Sequence, residues 1–344
     1  MKAVRYYKPE EIKYEDVEDP KPDYGEIVVK VMSALTCGTD VKTYRRGHPV
    51  LIKKVPSGFG HEFAGLVEQV GEGVEKFKVG DRVVAANSAP CGKCFYCQRE
   101  QYNLCENLEL LNGAYAQFIK VPERIVEKNT LIIPDNLSFD KAAFCEPLAN
   151  VLHGAYRTGI KENDRVGIIG IGPIGLMFAR VAKLMGAKVI VAGRNPIKLK
   201  AAEEFAHVDE IIDLKKYPHP TKIFKDFGYN GRGLDVGIEC VGLPEIWEEV
   251  FSCVRPGGTV HFFGGCKSGS KVSLDTTKMH YNDIKILSVF HHTPKYFAMA
   301  LDYIASGKVE VEKLITDTLP MQDIEYAIKE HIQGNAIKFL IKPW

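Results

Sequence analysis

At 344 residues, with 45% hydrophobic and 26% charged side chains, the chain is long enough for about two domains and has the composition of a soluble globular protein rather than a disordered one. Lys and Arg number 45 against 44 Asp and Glu, a formal charge of +1, so the basic excess of a nucleic-acid binder is missing. No apolar run reaches the roughly 18 residues of a membrane span, no signal-peptide core opens the chain, and nine cysteines are too few for a disulfide scaffold of this length. The expected setting is the cytoplasm, with neither nucleic acid nor membrane as partner.

In chain order, the first part reads as β-rich. Short β-branched runs at Ile27–Met32, Phe63–Val70, Arg82–Ala86 and Ala116–Val121 are separated by turn chemistry such as Lys21-Pro22-Asp23-Tyr24-Gly25 and Val79-Gly80-Asp81. In these turns Pro presets φ and Gly permits φ > 0. Strands at this spacing predict a compact barrel or sandwich.

Within that region Cys91, Cys94, Cys97 and Cys105 stand three, three and eight residues apart. Thiolates so spaced can wrap a tetrahedral ion, and four protein sulfurs leave no open position, so the expected site is a structural zinc. Residues 87–107 are poor in core side chains, which a metal would offset. An iron–sulfur cluster and free thiols are the rival readings. Lys93 and Arg99 balance Glu100 and Glu106, unlike a nucleic-acid zinc ribbon.

Beyond Leu152 the pattern changes. Strands are expected at Arg165–Ile169, Lys188–Ala192, Glu210–Asp213, Asp235–Glu239, Thr259–Phe263 and Ile284–Val289, with a helix from Pro173 to about Met185. Apolar strands alternating with helices predict a doubly wound parallel sheet, and six of them match two mononucleotide-binding halves. A helix over Lys295–Ser306 and short strand signals follow.

Gly170-Ile171-Gly172-Pro173-Ile174-Gly175 joins the first of these strands to its helix. The first glycine allows a tight turn, the second lets backbone approach a pyrophosphate, and the third lets helix pack on strand; the helix N-terminus offers free N–H groups. A glycine-rich turn that binds nothing is the bland alternative, and the strand-turn-helix context weighs against it. No Asp or Glu occurs between Asp164 and Glu203; where an NAD site carries an acid stand Gly193, Arg194 and Asn195. Arg194 can pair with a 2′-phosphate, so NADP(H) is expected over NAD(H), unless Arg194 stacks on adenine or points to solvent.

Cys37 in Cys37-Gly38-Thr39-Asp40, His61 in Gly60-His61-Glu62 and Glu146 in Cys145-Glu146-Pro147-Leu148 are individually unremarkable, and spacing alone does not join them. The stretch Gly60-His61-Glu62-Phe63-Ala64-Gly65-Leu66-Val67, running to Val74 and closing on Gly80-Asp81-Arg82-Val83, does. With the four-cysteine lobe and the glycine loop it resembles the zinc-dependent medium-chain dehydrogenase/reductase family over essentially the whole chain.

The resemblance implies an α/β plus β fold. A GroES-like β-barrel catalytic domain would span residues 1–152 and 293–344, with the zinc lobe at about 87–107, and a Rossmann domain would span 153–292. It implies two Zn²⁺ per chain, the catalytic one in the cleft between the domains. Cys37, His61 and Glu146 look like its ligands, with water or Glu62 completing the sphere. Asp40 would fix the tautomer of His61, Thr39 would take the substrate proton outward, and Asn150 would face the nicotinamide. Relatives that end a proton relay five residues after the cysteine carry histidine there; this chain has Lys42, so the relay stops at Thr39, leaves through ribose hydroxyls, or uses Lys42 or His48.

Glu146-Pro147-Leu148 resembles the sorbitol and polyol branch, which implies hydride transfer between a secondary alcohol and NADP(H) or NAD(H), giving a ketone. Simple secondary-alcohol and L-threonine dehydrogenases are the alternatives within the family. A metal-free quinone or enone reductase, and a non-catalytic nucleotide-binding protein with structural zinc, are the rivals outside it. The expected partners are a small-molecule alcohol or ketone and further copies of the chain, as homodimer or homotetramer.

Overall fold

The structure is a computed structural model describing residues 1–344. The chain divides into two compact units, Met1–Ala149 with His292–Trp344, and Asn150–His291. No helix is long and apolar enough to cross a membrane.

The spine of the first unit is the strand Ile27–Leu35. It pairs antiparallel with Phe63–Val70, Phe118–Val121 and the C-terminal strand Lys338–Lys342. Arg82–Ala85 and Thr130–Ile132 extend the sheet on one side and Ile315–Pro320 on the other. Ile27, Val29, Val31, Phe63, Val67, Val83, Ile119, Phe339 and Ile341 share one buried core, so burial fixes the register. Ala34 lies opposite both Phe63 and Ile341. Cys37 just past one strand, His61 and Glu62 just before the second, and Lys338 at the start of the third therefore arrive at one end of the sheet.

The second unit is a six-stranded parallel sheet in the order Glu210–Asp213, Lys188–Gly193, Arg165–Ile169, Leu234–Glu239, Val254–Phe262, Lys285–Leu287. In chain order this is 3-2-1-4-5-6, the doubly wound arrangement whose ligand crevice lies beyond the carboxyl ends of the strands. The expected helix runs Pro173–Leu184, with proline at its first position where no N–H is needed. Trp247 is packing: it stacks on Phe262 at 4.2 Å, and its indole N–H donates to the Gly264 carbonyl.

Two strands differ from expectation. The Thr259–Phe263 strand starts earlier, at Val254, and passes Pro256-Gly257-Gly258 with a register shift against its neighbour. The Ile284–Val289 strand shrinks to Lys285–Leu287 at the open edge of the sheet. The helix Cys145–Thr158 was hidden by Pro147, which sits in the first turn where proline is tolerated. Leu148, Val151, Leu152 and Ala155 are its buried stripe.

His261 is an apolar-core residue with a polar ring. It lies between Phe178 and Phe263, and neither ring nitrogen has a hydrogen-bond partner. Burial pushes its pKa down to about 3. The unfolded chain binds a proton near pH 6.5 that the folded chain refuses. Stability therefore falls as pH drops from 6.5 toward 3, by roughly 1.4 kcal/mol per pH unit. His261→Leu is predicted to raise the melting temperature at pH 5 more than at pH 7.5, as thermal unfolding followed at both pH values will show.

Candidate active site

The site in the first unit begins with a helix cap. Cys37 precedes the helix Gly38–Arg46; its Sγ accepts from Thr39 N–H at 3.5 Å, and Asp40 Oδ2 accepts from Cys37 N–H at 2.9 Å. This reciprocal cap fixes the direction of the thiol. Leu35 N–H donates to the Glu62 carbonyl at 3.1 Å, which holds Gly60-His61-Glu62 beside it. Cys37, His61 and Glu62 thereby offer ligand atoms within 4.8 Å of one another.

Asp40 is buried and faces His61, its Oδ1 lying 3.2 Å from Nδ1. The ring N–H is poorly aligned for a hydrogen bond, so the contact acts mainly through charge. Burial pushes Asp40 up, but His61, Tyr115 and the Cys37 N–H outweigh it and hold the carboxyl below its ordinary range. Tyr115 OH reaches Asp40 Oδ2 at 2.6 Å and the Leu35 carbonyl at 3.0 Å. Its ring packs on the α-carbon of Gly60, where any Cβ would collide and φ is +86°. Only glycine fits there.

Glu62 is fully buried. One carboxylate oxygen pairs with Lys338 Nζ, and the other, Oε1, has no partner. Burial lifts its pKa to about 7; Lys338 opposes that rise and Glu146 adds to it. Burial also pushes the Cys37 thiol up, and Glu62 pushes it further. A pocket that buries a thiol and an unpaired carboxylate oxygen around a raised histidine wants a cation, and this donor set fits zinc. Glu146 sits in the first turn of its helix, buried, with Oε1 3.9 Å from His292 Nε2; that nitrogen lies 3.0 Å from Asn87 Oδ1. The structure thus groups Glu146 with His292 rather than within the tight Cys37–His61–Glu62 set.

Thr39 is half-buried and Lys42 exposed on the same helix. His48 is half-buried, its Nδ1 accepting from Leu51 N–H.

In the lobe, Cys91, Cys94, Cys97 and Cys105 also converge within 4.8 Å. The Cys91–Cys97 and Cys94–Cys105 sulfur pairs stand 3.9 Å apart. A tetrahedral ion with bonds near 2.3 Å sets sulfurs about 3.8 Å apart, so these two pairs already have the spacing of a four-thiolate zinc site. The Lys93 N–H pulls the Cys91 thiol down to about 6, and burial drives Cys97 up to about 12.

In the second unit the three glycines divide their work as the loop requires. Gly170 has φ +100°. A Cβ on Gly172 would meet nothing within 4 Å, and one on Gly175 would lie 1.9 Å from the Gly170 carbonyl. The open approach at Gly172, the N-terminus at Pro173 and half-buried Ile174 leave room for a pyrophosphate. Gly193 ends the next strand beneath Ile171. Arg194 is exposed, and Asn195 caps the following helix, its Oδ1 accepting from Ile197 and Lys198 N–H. Asn150 lies half-buried in the Cys145–Thr158 helix.

Sequence reasoning marks His291 and His292 as able to touch cofactor or substrate, with a surface or hinge role as the alternative, but misses Lys338, the bracing role of Tyr115 and the Asn87 partner of His292. The one local signal was a lysine at the start of the apolar run Phe339-Leu340-Ile341.

Residues 23–135 match the family model for the alcohol dehydrogenase GroES-like domain, and residues 173–306 match that for the zinc-binding dehydrogenase. A sorbitol dehydrogenase of Bacillus subtilis (strain 168) is 32% identical over 100% of this chain and 97% of its own. A D-arabinitol dehydrogenase 1 of Uromyces fabae is 31% identical with the same coverage. Among solved structures, a protein of Sinorhizobium meliloti 1021 assigned as a zinc-binding dehydrogenase and bound to NADP superposes with TM-score 0.91, 31% identity and 99% coverage of both chains. The fold is accordingly a GroES-like domain together with a Rossmann-type parallel sheet.

The Glu62–Lys338 pair makes a stability prediction. Lys338→Met strands a buried carboxylate and should cost about 3–5 kcal/mol, whereas Glu62→Gln with Lys338→Met should recover most of that loss. Urea unfolding of the two variants measures both.

Proposed function

The chain belongs to the zinc-dependent medium-chain dehydrogenase family and is an oxidoreductase, and we propose that it interconverts the secondary hydroxyl of a polyol and the corresponding ketone. The observation that carries this reading is the set of half-buried Cys37 with buried His61 and Glu62, the partnerless Glu62 Oε1 among its donors. Cys37, His61 and either Glu62 or Glu146 would hold the ion, Glu146 directly or through water. Bound there, zinc supplies Lewis acidity that lowers the pKa of an oxygen ligand. NADP(H) or NAD(H) carries the hydride.

The residues of this chain handle position and protons. Asp40, braced by Tyr115, keeps His61 oriented. Thr39, two residues past Cys37, is the group to accept the substrate proton and pass it outward. Exposed Lys42, one turn on, then lies on the side of that exit. In the second unit, Gly170, Gly172, Pro173, Ile174 and Gly175 would hold the pyrophosphate, Gly193 and Asn195 the adenosine end, and Asn150 the nicotinamide end. Arg194 has no acid beside it in sequence that would repel a 2′-phosphate. That exposed guanidinium favours NADP(H).

Four thiolates in one lobe require a reducing compartment, which supports the cytoplasm. The uncovered edge strand Lys285–Leu287, with Ile286 and Phe290 exposed, supports a homo-oligomer joined across that edge.

Three measurements test the reading. Glu146→Ala should lower zinc from two per chain toward one, with the lobe metal kept, by elemental analysis. Initial rates with polyols, simple secondary alcohols and L-threonine, each with NAD⁺ and NADP⁺, should favour polyols and NADP⁺. Arg194→Ala should cut kcat/KM for NADP⁺ at least tenfold while leaving that for NAD⁺ within about twofold. Equal loss for both cofactors would remove Arg194 from 2′-phosphate recognition.

A further inference from the structure

The helix that starts from Cys37 has two faces of opposite character. Asp40, Thr43 and Tyr44 are its buried stripe, Tyr44 OH donating to Glu325 at 2.8 Å. The opposite side carries Thr39, Lys42, Arg45 and Arg46 at spacings of three and four, which place them along one face. All three cations are exposed, as are Lys53 and Lys54 in the segment that follows.

Residues 38–56 thus hold five Lys and Arg and a single acid, Asp40. That acid is buried and committed to Cys37, Tyr115 and His61. A chain whose whole formal charge is +1 concentrates positive charge here, directly after its metal-site cysteine. The helix dipole explains basic residues in the last turn, where Arg45 and Arg46 lie. It does not explain Lys42, which repels both arginines from positions three and four residues back. Nor does it explain Lys53 and Lys54, which lie beyond the Gly47 cap.

The stripe also has the right reach. At 1.5 Å per residue, Lys42 stands about 8 Å and Arg45 about 12 Å along the axis from Cys37, and helical side chains lean back toward the N-terminus. Within the same segment, burial first, then the charges of His61, Arg46 and Lys42, hold half-buried His48 below its ordinary pKa.

We propose that Lys42, Arg45 and Arg46 anchor an anionic end group of the substrate, a terminal phosphate monoester, so that the preferred substrate is a polyol phosphate rather than a neutral polyol. This deepens the polyol dehydrogenase reading and rests on it. Two adjacent guanidinium groups suit a phosphate dianion, which each can grip with paired N–H donors. The ester bond is untouched. A secondary alcohol and NAD(P)⁺ give a ketone, NAD(P)H and one proton, with the hydride leaving carbon for the nicotinamide and the proton leaving the hydroxyl.

The test uses the zinc-loaded full-length enzyme with ribitol, ribitol 5-phosphate and ribonate, each with NAD⁺ and NADP⁺. The expected kcat/KM for ribitol 5-phosphate is at least 30-fold that for ribitol and well above that for ribonate. In Arg45→Gln/Arg46→Gln the phosphate-to-ribitol ratio should fall at least tenfold, and in the wild type it should shrink as NaCl is raised. A ratio near one, or one the double variant leaves intact, overturns the proposal; ribonate matching the phosphate overturns the choice of phosphate.

A second arm titrates inorganic phosphate into the same enzyme by calorimetry. Binding should weaken at least tenfold in the double variant. If none of the three compounds is oxidised with either cofactor, the polyol reading fails, and calorimetry alone decides the anion site. Phosphate binding lost in the variant upholds it, and absent or unchanged binding overturns it.

Discussion

Crowding a thiol and three buried carboxylates at one end of a small barrel is the constraint on which the catalytic unit is organised. Each acid there is costly to desolvate, and each is answered by a specific neighbour. Lys338 answers one oxygen of Glu62, His61 with Tyr115 and the Cys37 N–H answers Asp40, and His292 with Asn87 stands beside Glu146. After these pairings the Oε1 of Glu62 remains without a partner. That residual demand is what a divalent cation would meet, which would account for such a wet set of side chains inside an otherwise apolar core.

The geometry that assembles this set comes from pairing around one strand. Ile27–Leu35 has the Phe63–Val70 and Lys338–Lys342 strands on either side, so residues separated by 276 positions, Glu62 and Lys338, become an ion pair. Backbone bonds rather than side-chain affinity bring them together: Leu35 N–H to the Glu62 carbonyl, and Thr36 N–H to the Phe339 carbonyl. The nucleotide-binding unit works by a different economy, in which the absence of side chains matters most. Gly175 is a glycine because the Gly170 carbonyl occupies the place of its Cβ, and Gly172 because a ligand's backbone-close approach needs that place open.

This difference explains what could be read from the sequence. The doubly wound sheet, its strand series and the glycine turn were legible because their determinants are local: apolar periodicity, Pro173 at a helix start, glycines at fixed offsets. The converging sulfurs were legible for the same reason, since four cysteines within 15 residues advertise a shared ion. Lys338, the role of Tyr115 and the pairing of His292 with Asn87 were not, because each acts across the fold and none has a spacing to reveal it. The Cys145–Thr158 helix was obscured by a proline that reads as a breaker yet is harmless in a first turn.

Everything proposed for the catalytic unit requires a cation at Cys37. Anomalous scattering collected at the zinc edge from crystals of the zinc-loaded protein measures this directly. Two peaks per chain are expected, one enclosed by Cys91, Cys94, Cys97 and Cys105, and one about 2.3 Å from Cys37 Sγ with His61 among its ligands. A single peak confined to the four-cysteine lobe, or a second that leaves Cys37 and His61 unbound, would contradict it.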